Sequence, residues 1–209
     1  MDNFISELAR CLRQELPGMS AHLGMAPPHR KTELQDLALH KDATRSSVLI
    51  LFYTRDNQPY VVFIKRPEYN GVHSGQIAFP GGRWEKSDKS LYHTALRESN
   101  EEIGLQTHAV EYLGKLSDLY VPPSNYLISP FVGFYKGNPN FVPDPKEVAR
   151  ILEIPFNFFL QPNAIQDTTI VLSSDFRLDC PAFVFEQETI WGATAMILHE
   201  LIVLWKTIV

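Results

Sequence analysis

Apolar positions near the start of the chain recur at helical spacing, whereas those that follow lie in short continuous runs. Over 3–16 they repeat every three or four residues, which predicts an amphipathic helix. These apolar positions are Phe4, Ile5, Leu8, Leu12 and Leu16. Pro17 and Gly18 end this helix. Two adjacent prolines and several charges make 22–45 a connector with one short helix at most.

Short apolar runs rich in β-branched and aromatic residues predict the strands. The first two, 47–53 and 60–64, are separated by the turn 55–59 and are expected to form a hairpin. Further strands are expected at 77–79, 110–116 and 127–135, with a late hairpin of 183–185 and 189–191. Helices are expected from about 87 or 88 to 103, over 145–152 and over 193–205. Strands with interleaved helices indicate an α/β layered domain.

Glycine and proline mark where several of these elements begin or end. The segment 80–82 has the sequence Pro-Gly-Gly and is interpreted as a glycine turn that stops the preceding strand. Gly104 is placed to be the left-handed C-cap of the helix before it. Asp144 is expected to cap the next helix, with Pro145 at its first position.

Composition and charge favour a globular domain that binds a small molecule. The 209 residues suffice for one domain, and 44% of them are apolar and 21% charged. The net charge of −5 and the lack of a long basic run argue against nucleic acid as the main partner. A small anionic ligand stays compatible with this charge, because a bound metal can invert the local sign.

Cysteine usage and the termini favour the cytoplasm. Cys11 and Cys180 are too few for a disulfide framework, so both are expected to be buried thiols in a reducing compartment. No run of about 18 apolar residues that could span a membrane occurs in the sequence. The N-terminus lacks the charge and apolar pattern of a secretion signal.

The helix before Gly104 carries an unusual concentration of negative charge. Its inward face is formed by Tyr92, Ala95, Leu96, Ser99 and Ile103. Glu101 and Glu102 follow Glu98 by three and four residues, so the three cluster on another face. Like charges at this spacing cost a helix about 0.2–0.5 kcal/mol per pair, and each anion in the last turn costs about 0.3–1 kcal/mol. Arg97 offsets part of this cost as the i,i+4 partner of Glu101.

A local conflict of this kind tends to mark a functional site. Hard divalent cations resolve it because they bind carboxylate oxygens, so Mg²⁺ or Mn²⁺ is the expected cofactor. The backbone carbonyls of 80–82, just upstream, can approach an ion closely because glycine has no side chain. The alternative is a solvated acidic helix face that binds nothing.

The segment from Gly82 to Leu105 resembles the signature of the Nudix hydrolase family, G-x5-E-x7-R-E-U-x-E-E-x-G-U, where U is aliphatic. Matching positions are held by Gly82, Arg97, Glu98, Glu101, Glu102, Gly104 and Leu105. Asp88 stands where the family has its first glutamate, and one extra residue separates it from Arg97. Ser99 takes the first aliphatic position. These departures leave the three glutamates in place.

A second resemblance, to the coenzyme A pyrophosphatase branch of this family, extends to both sides of the signature. Arg66, Gly75 and the run 79–82 match the pattern L-L-T-x-R-[SA]-x3-R-x3-G-x3-F-P-G-G that precedes the signature in that branch. Ile64, Pro67 and Gly71 depart from this pattern, and Gly71 stands in place of an arginine. Segments 144–148 and 190–195 also resemble the branch.

The resemblance covers about 45–198 and implies the Nudix fold, an α/β/α sandwich around a mixed β-sheet. A single domain is therefore expected, with 45–209 as its Nudix core and 1–44 as an N-terminal helical extension and connector. The implied activity is the hydrolysis, with Mg²⁺ or Mn²⁺, of a diphosphate linkage in a nucleoside diphosphate joined to another group. The branch implies coenzyme A or a derivative as the substrate, cleaved to 3′,5′-ADP and 4′-phosphopantetheine.

The same resemblance implies roles for the residues of the signature. Glu98 and Glu102 would ligate the metal, and Glu101 would be a further ligand or the catalytic base. The backbone carbonyl of Gly82 or its neighbour could add a ligand. Arg97 would orient the glutamates.

Residues outside the signature have more than one interpretation. Glu147 is expected to be a base or an extra metal ligand, with a surface glutamate as the alternative. Arg66 and Lys65 are expected to bind phosphate, unless they are only surface cations. His73 either contacts the substrate or makes a structural hydrogen bond in its loop. Further candidate substrate-binding residues are Gly75 and Ser124.

Several alternatives stay open at this point. Trp191 either packs in the core or stacks on a base. The substrate could instead be ADP-ribose or another nucleotide. A catalytically inactive nucleotide-binding regulatory module on the same scaffold is an alternative of another class. The apolar helices 3–16 and 193–205 could form a homodimer surface or be buried in the core.

Overall fold

A mixed sheet of eight strands forms the centre of the protein. The computed structural model describes residues 2–28, 42–68, 73–173 and 176–207. The strands of the sheet are β1 (Thr44–Arg55), β2 (Gln58–Lys65), β3 (Ile77–Ala78), β4 (Gly81–Arg83), β5 (Val110–Lys115), β6 (Leu119–Val121), β7 (Tyr126–Tyr135) and β8 (Arg150–Pro155). Their order is β3-β2-β1-β7-β5, while β4 pairs with β1, β6 with β7 and β8 with β2. The pairing of β1 with β7 is parallel and the other pairings are antiparallel.

Within the described ranges, a smaller antiparallel sheet and five helices accompany the large sheet. The small sheet contains β9 (Ile165–Ser173), β10 (Phe176–Phe185) and β11 (Glu188–Ile190). The helices are α1 (Asp2–Cys11), α2 (Met19–Met25), α3 (Leu91–Ile103), α4 (Phe156–Phe159) and α5 (Gly192–Lys206). None of these described helices combines the length and the apolar character needed to cross a membrane.

Alternate side chains of the central strands point to opposite faces of the large sheet, and both faces are covered. Ile50 and Phe52 of β1 belong to a core that also includes side chains of α1, α2 and α5. Leu49 and Leu51 belong to a second core, which includes buried side chains of α3. The expected α/β/α sandwich around a mixed sheet is therefore confirmed.

The N-terminal helices pack into the first of these cores. Leu8 and Cys11 of α1 and Met25 of α2 are fully buried, and Cys180 is also buried, as expected of both thiols. The same cluster contains the apolar arc of α5, formed by Leu201, Ile202, Leu204 and Trp205. Burial within the chain therefore accounts for this arc, and these side chains do not form an exposed dimer surface.

Several of the elements predicted from the sequence are present in the structure. The β1–β2 hairpin, the late β10–β11 hairpin and α5 are confirmed, with ends that differ by a few residues. The first helix ends at Cys11 instead of residue 16, and α3 begins at Leu91 because Ser90 caps it. Of the connector expected over 22–45, residues 22–25 belong to α2, and residues 29–41 lie outside the described ranges.

The prediction of a helix over 145–152 is wrong. Residues 145–147 form a turn, in which the carboxylate of Asp144 accepts a hydrogen bond from the N–H of Lys146 at 2.9 Å. The chain then enters β8, which pairs with β2 along its whole length. The helix propensity of this segment is overridden because its apolar side chains, including Leu152 and Ile154, are buried by that pairing.

The prediction of a glycine turn at 80–82 is also wrong. Gly81 and Gly82 belong to β4, where they pair with Val48 and Ser47 of β1. Strands β6, β8 and β9 and most of β10 lie outside the predicted strands. Asp, Thr and Pro interrupt the apolar pattern of β9 and β10, so their sequences do not indicate strands. The two segments form strands because they pair with each other.

A buried histidine–glutamate pair joins α2 to α5. Glu200 is completely buried, and its Oε2 lies 3.0 Å from Nε2 of His22, which is 1% exposed. Glu200 also accepts hydrogen bonds from the backbone N–H of Gly18 at 3.0 Å and of Ser117 at 3.2 Å. Burial by itself raises the pKa of Glu200, but these donors hold that pKa below its usual value.

Replacing Glu200 by Gln should lower the free energy of unfolding by about 2 kcal/mol at pH 7, because hydrogen bonds to a charged acceptor are lost. A carboxylate with a lowered pKa stabilises the fold above its unfolded pKa of about 4.3, and this contribution is lost as the pH falls through the folded pKa. Urea titrations should therefore show a full difference from the wild type at pH 7 that shrinks below pH about 4. Glu111→Gln, at an exposed position of β5, is the matched control. A difference that does not change with pH would contradict this account.

Candidate active site

Helix α3 places its three glutamates beside the large sheet. Ser90 caps the N-terminus of α3, and Gly104 caps its C-terminus in the left-handed region with a φ of 65°, as the sequence predicts. Glu98, Glu101 and Glu102 therefore lie in the last turns of the helix, where its dipole disfavours anions.

Asp88 holds Arg97 through two hydrogen bonds. Arg97 Nε donates to Asp88 Oδ1 at 3.0 Å, and Nη2 donates to Oδ2 at 3.1 Å. Asp88 also accepts from the hydroxyl of Thr94 at 2.9 Å and from the N–H of Glu85 at 3.0 Å. The hydrogen bonds from the guanidinium, with these other donors, lower the pKa of Asp88 to about 2. Although one extra residue separates Asp88 from Arg97 relative to the signature, the arginine still has a carboxylate partner.

Arg97 also contacts two of the glutamates. Its guanidinium lies 3.0 Å from Glu98 Oε1 and 2.9 Å from Glu101 Oε2, and it donates to the carbonyl of Arg83 at 3.0 Å. The hydrogen bonds to Asp88 and the neighbouring carboxylates raise the pKa of Arg97 above its ordinary value. A permanently charged guanidinium therefore offsets part of the negative charge at this end of α3.

The two glycines of β4 let the backbone approach the carboxylates of α3. The N–H of Gly81 donates to Glu102 Oε2 at 2.8 Å. A Cβ on Gly82 would lie 2.4–2.6 Å from the carboxylate atoms of Glu98. A Cβ on Gly81 would lie 2.3 Å from the carbonyl oxygen of Ser47, and the φ of Gly81 is 150°. Gly81 is therefore required by the backbone, whereas Gly82 leaves space for the Glu98 carboxylate.

The carboxylates of Glu102 and Glu98 are largely removed from water. Glu102 is 3% exposed, and burial is the main reason that its pKa is raised to about 8. The charges of Glu98 and Glu147 raise this pKa further, whereas the N–H of Gly81 and the charge of Arg66 lower it. Burial also raises the pKa of Glu98. A cation beside them would favour the charged forms and reverse this shift.

These groups line a cavity of about 350 Å³. The predicted site residues that line it are Arg66, His73, Gly82, Glu98, Glu102, Ser124 and Glu147. We call the lining side chains of Val121, Tyr126, Ile128, Trp191, Ala193 and Ile197 the apolar wall. The cavity therefore combines charged and apolar lining residues.

Other predicted site residues lie outside the cavity lining. The carboxylate of Glu101 is 53% exposed and contacts Arg97, and neither residue is among those that line the cavity. Gly75 lies in a turn, where its φ is 65° and its N–H donates to the carbonyl of Pro67 at 3.1 Å. Lys65 Nζ lies 3.0 Å from both carboxylate oxygens of Glu188, away from the cavity.

For three of the residues that line the cavity, the structure is compatible with more than one predicted role. His73 Nδ1 lies 2.9 Å from Gln76 Oε1, so this histidine makes a local hydrogen bond and also lines the cavity. Trp191 is half-buried at the N-cap of α5, where it lines the cavity. Glu147 is exposed and lies in a turn instead of the expected helix, with its charge near Glu98 and Glu102.

The residues present fit a hard divalent cation. Glu98, Glu102 and Glu147 offer carboxylate oxygens to one cavity, and Mg²⁺ and Mn²⁺ prefer oxygen ligands. In the part of the chain that the structure describes, no three Asp, Glu, His or Cys side chains already converge as a ligand set. Glu98 is instead held by Arg97 at 3.0 Å. Binding of an ion therefore requires rotation of carboxylate side chains on a backbone that already brings them together.

Sequence analysis missed the cavity residues contributed by β1. Ser47 and Val48 belong to a run that predicts only a core strand, and Ser46 precedes that run. Pairing with β4 brings all three to the cavity. No signal in the sequence marks them. Gln76 and Thr194 could have been found, since both lie in segments that resemble the coenzyme A pyrophosphatase branch.

Comparison with known proteins identifies relatives of the chain. The family model described as the NUDIX domain matches residues 43–164. A protein of Photorhabdus laumondii described as an uncharacterized Nudix hydrolase, NudL, is 32% identical over 169 residues, which cover 77% of this chain and 84% of that protein. A protein of Yersinia pestis with the same description is 34% identical over 157 residues, covering 75% and 77%.

Solved structures with some likeness to the chain carry the same family name. The Nudix hydrolase RenU of M. smegmatis is 14% identical with a TM-score of 0.47, covering 56% of this chain and 74% of that one. The NUDIX domain of Shewanella oneidensis NrtR, solved with ADP-ribose, is 19% identical with a TM-score of 0.46, covering 66% and 88%.

Adding a Cβ at Gly82 and at Gly81 should have different effects. In Gly82→Ala, the clash is with the far end of a flexible side chain, so Glu98 should move aside while the fold stays intact. Calorimetry should then show Mn²⁺ affinity reduced about tenfold with an almost unchanged melting temperature. In Gly81→Ala, the clash is with the backbone of β1, so the melting temperature should fall by several degrees. Equal loss of stability in both variants would contradict this distinction.

Asp88→Asn should weaken the hold on Arg97. The loss of a charged partner should lower the free energy of unfolding by about 1.5 kcal/mol at pH 7. Because the pKa of Asp88 is lowered, the deficit should be full above pH about 4 and should disappear as the pH falls toward 2. Glu7→Gln, which removes an exposed partner of Arg10, is the control and should change stability by less than about 0.5 kcal/mol. A variant as stable as the control would show that Asp88 is not needed to hold Arg97.

Proposed function

The chain belongs to the Nudix hydrolase family, and on that premise we propose that it hydrolyses the diphosphate linkage of coenzyme A or a derivative. The products are 3′,5′-ADP and 4′-phosphopantetheine. Members of this family hydrolyse diphosphate bonds, and the substrate is the part that is proposed. The observation that carries the proposal is a single cavity in which buried carboxylates and Arg66 adjoin an apolar wall. Coenzyme A needs both kinds of surface, because its phosphates are anionic whereas its adenine base and pantetheine arm are uncharged.

Glu98 and Glu102 are the proposed metal ligands, with the backbone carbonyl of Gly82 beside them. Support comes from their burial in one cavity and from raised pKa values that a cation would reverse. Mg²⁺ or Mn²⁺ bound there would supply neutralisation of the phosphoryl oxygens and activation of water for attack on phosphorus. Glu101 is kept as a further candidate ligand or base, although its carboxylate contacts Arg97.

Arg97 is proposed to orient the glutamates without touching the substrate. Its contacts with Asp88, Glu98 and Glu101 fix the direction of the carboxylates that it binds. Glu147 is the candidate base, because its exposed side chain lines the cavity near Glu98 and can turn toward a water molecule.

The substrate is proposed to lie across the cavity from the carboxylates to the apolar wall. Arg66 is the proposed phosphate contact, supported by its place in the cavity lining and by its charge, which lowers the pKa of Glu102. His73 and Ser124 offer further polar contacts, and Trp191 offers a flat face for a base or for the pantetheine arm. Gly75 is kept as a backbone turn that shapes this loop. Gly71, where the branch has an arginine, lies outside the described residues.

The first experiment measures hydrolysis of coenzyme A, ADP-ribose, NADH and diadenosine polyphosphates by the purified chain with Mg²⁺ or Mn²⁺. Coenzyme A is expected to be cleaved to 3′,5′-ADP and 4′-phosphopantetheine, identified by chromatography. Glu102→Gln should lower kcat by about 1000-fold, since a metal ion contributes several kcal/mol to the transition state. Glu111→Gln, on the exposed face of β5, is the matched control and should retain full activity.

Two outcomes would contradict parts of this proposal. Metal-dependent cleavage of ADP-ribose or another nucleotide, but not of coenzyme A, would discard the coenzyme A assignment and keep the metal site. Coenzyme A cleavage that persists in Glu102→Gln would remove Glu102 from the metal site.

A further inference from the structure

Ser47 of β1 is a buried polar residue that lines the cavity and has no hydrogen-bond partner for its hydroxyl among the described residues. Its exposed fraction is 0%, and no protein atom in the described part of the chain bonds its Oγ. The other side-chain atoms with this property in the described residues belong to His22 and Thr54, and neither residue lines the cavity. Ser47 is therefore a buried cavity-lining residue whose hydroxyl has hydrogen-bonding capacity that the described residues do not use.

The strand register places Ser47 beside Glu98. Ser47 lies directly opposite Gly82 in the antiparallel pair of β1 and β4. Side chains of directly opposed residues share a face of the sheet, with Cβ atoms about 4.5–5.5 Å apart. On Gly82, the position of that Cβ lies 2.4–2.6 Å from the carboxylate atoms of Glu98. Because Gly82 has no side chain, the Glu98 carboxylate fills the space where the side chain opposite Ser47 would lie.

Neighbouring buried serines have conventional partners. Ser99 Oγ donates to the carbonyl of Ala95 at 2.7 Å, and Ser129 Oγ donates to Asp118 at 2.6 Å. An unsatisfied buried hydroxyl costs about 1–3 kcal/mol, so alanine at position 47 would be more favourable for folding alone. A residue that breaks a local rule in this way is expected at a functional site.

We infer that Ser47 is a positioning residue of the metal site, whose hydroxyl donates to the Glu98 carboxylate when a divalent cation is bound. The inference rests on the proposed function, because it requires Glu98 to be a metal ligand. Arg97 contacts Oε1 of Glu98, so the carboxylate has capacity for a second donor from the side of β1. Carboxylates that bind metals are themselves oriented by hydrogen bonds, and removing such a donor weakens metal affinity by about 10–100-fold.

Ser47→Ala should therefore separate folding from metal binding. In metal-free protein, the variant should have a melting temperature equal to or above that of the wild type, because no protein hydrogen bond is lost. Calorimetry with Mn²⁺ alone should show affinity reduced about tenfold. At saturating metal, KM for the substrate should be unchanged, while the metal concentration that gives half-maximal activity should rise. A serine with a purely structural role would lower the melting temperature and leave the metal affinity unchanged.

Ser99→Ala is the matched control, since it removes a buried serine hydroxyl from α3 whose acceptor is a helix carbonyl. It should bind Mn²⁺ as the wild type does. Equal Mn²⁺ affinity of Ser47→Ala and the wild type would overturn the role of Ser47 and leave the proposed function intact. A lower melting temperature of metal-free Ser47→Ala would also overturn it, by revealing a structural partner. Failure of the wild type to bind Mn²⁺ would overturn both the inference and the proposed metal site.

Discussion

The concentration of negative charge at the C-terminal end of α3 is the constraint on which the site depends. Glu98, Glu101 and Glu102 lie where the helix dipole disfavours them, and two of them are largely buried. Arg97 contacts Glu98 and Glu101 and is itself held by Asp88, while a backbone N–H of β4 satisfies Glu102. These contacts hold the carboxylates in place but do not neutralise them. A bound cation would neutralise this remaining charge.

The apolar side of the cavity depends on the N-terminal part of the chain. Residues at the start of α5 line the cavity, and the rest of α5 packs against α1 and α2. The His22–Glu200 pair ties α2 to α5 inside this core. The N-terminal helices therefore support the position of the cavity wall as well as the stability of the fold.

The sequence predicts the parts of the molecule whose geometry is local. Arg97 and the glutamates are separated by helical spacing, so their clustering and the cap at Gly104 follow from α3 alone. The β8 segment could not be assigned, because pairing with β2 decides its conformation against its own propensity. Ser47 was missed for a similar reason, since only the register with Gly82 brings it beside Glu98. Glu101 fits the signature, yet its carboxylate contacts Arg97 and lies outside the cavity lining.

The bond between Asp88 and Arg97 bears on how relatives of this chain can be recognised. Compared with the signature, the segment before Arg97 has one additional residue and an aspartate in place of a glutamate. Two hydrogen bonds between Asp88 and Arg97 still form. In this chain a carboxylate reaches the guanidinium although the number of residues between them differs from that in the signature. A search that fixes this interval would pass over chains of this kind. A search that allows the loop to vary, and asks only for an acidic residue ahead of the arginine, would retain them.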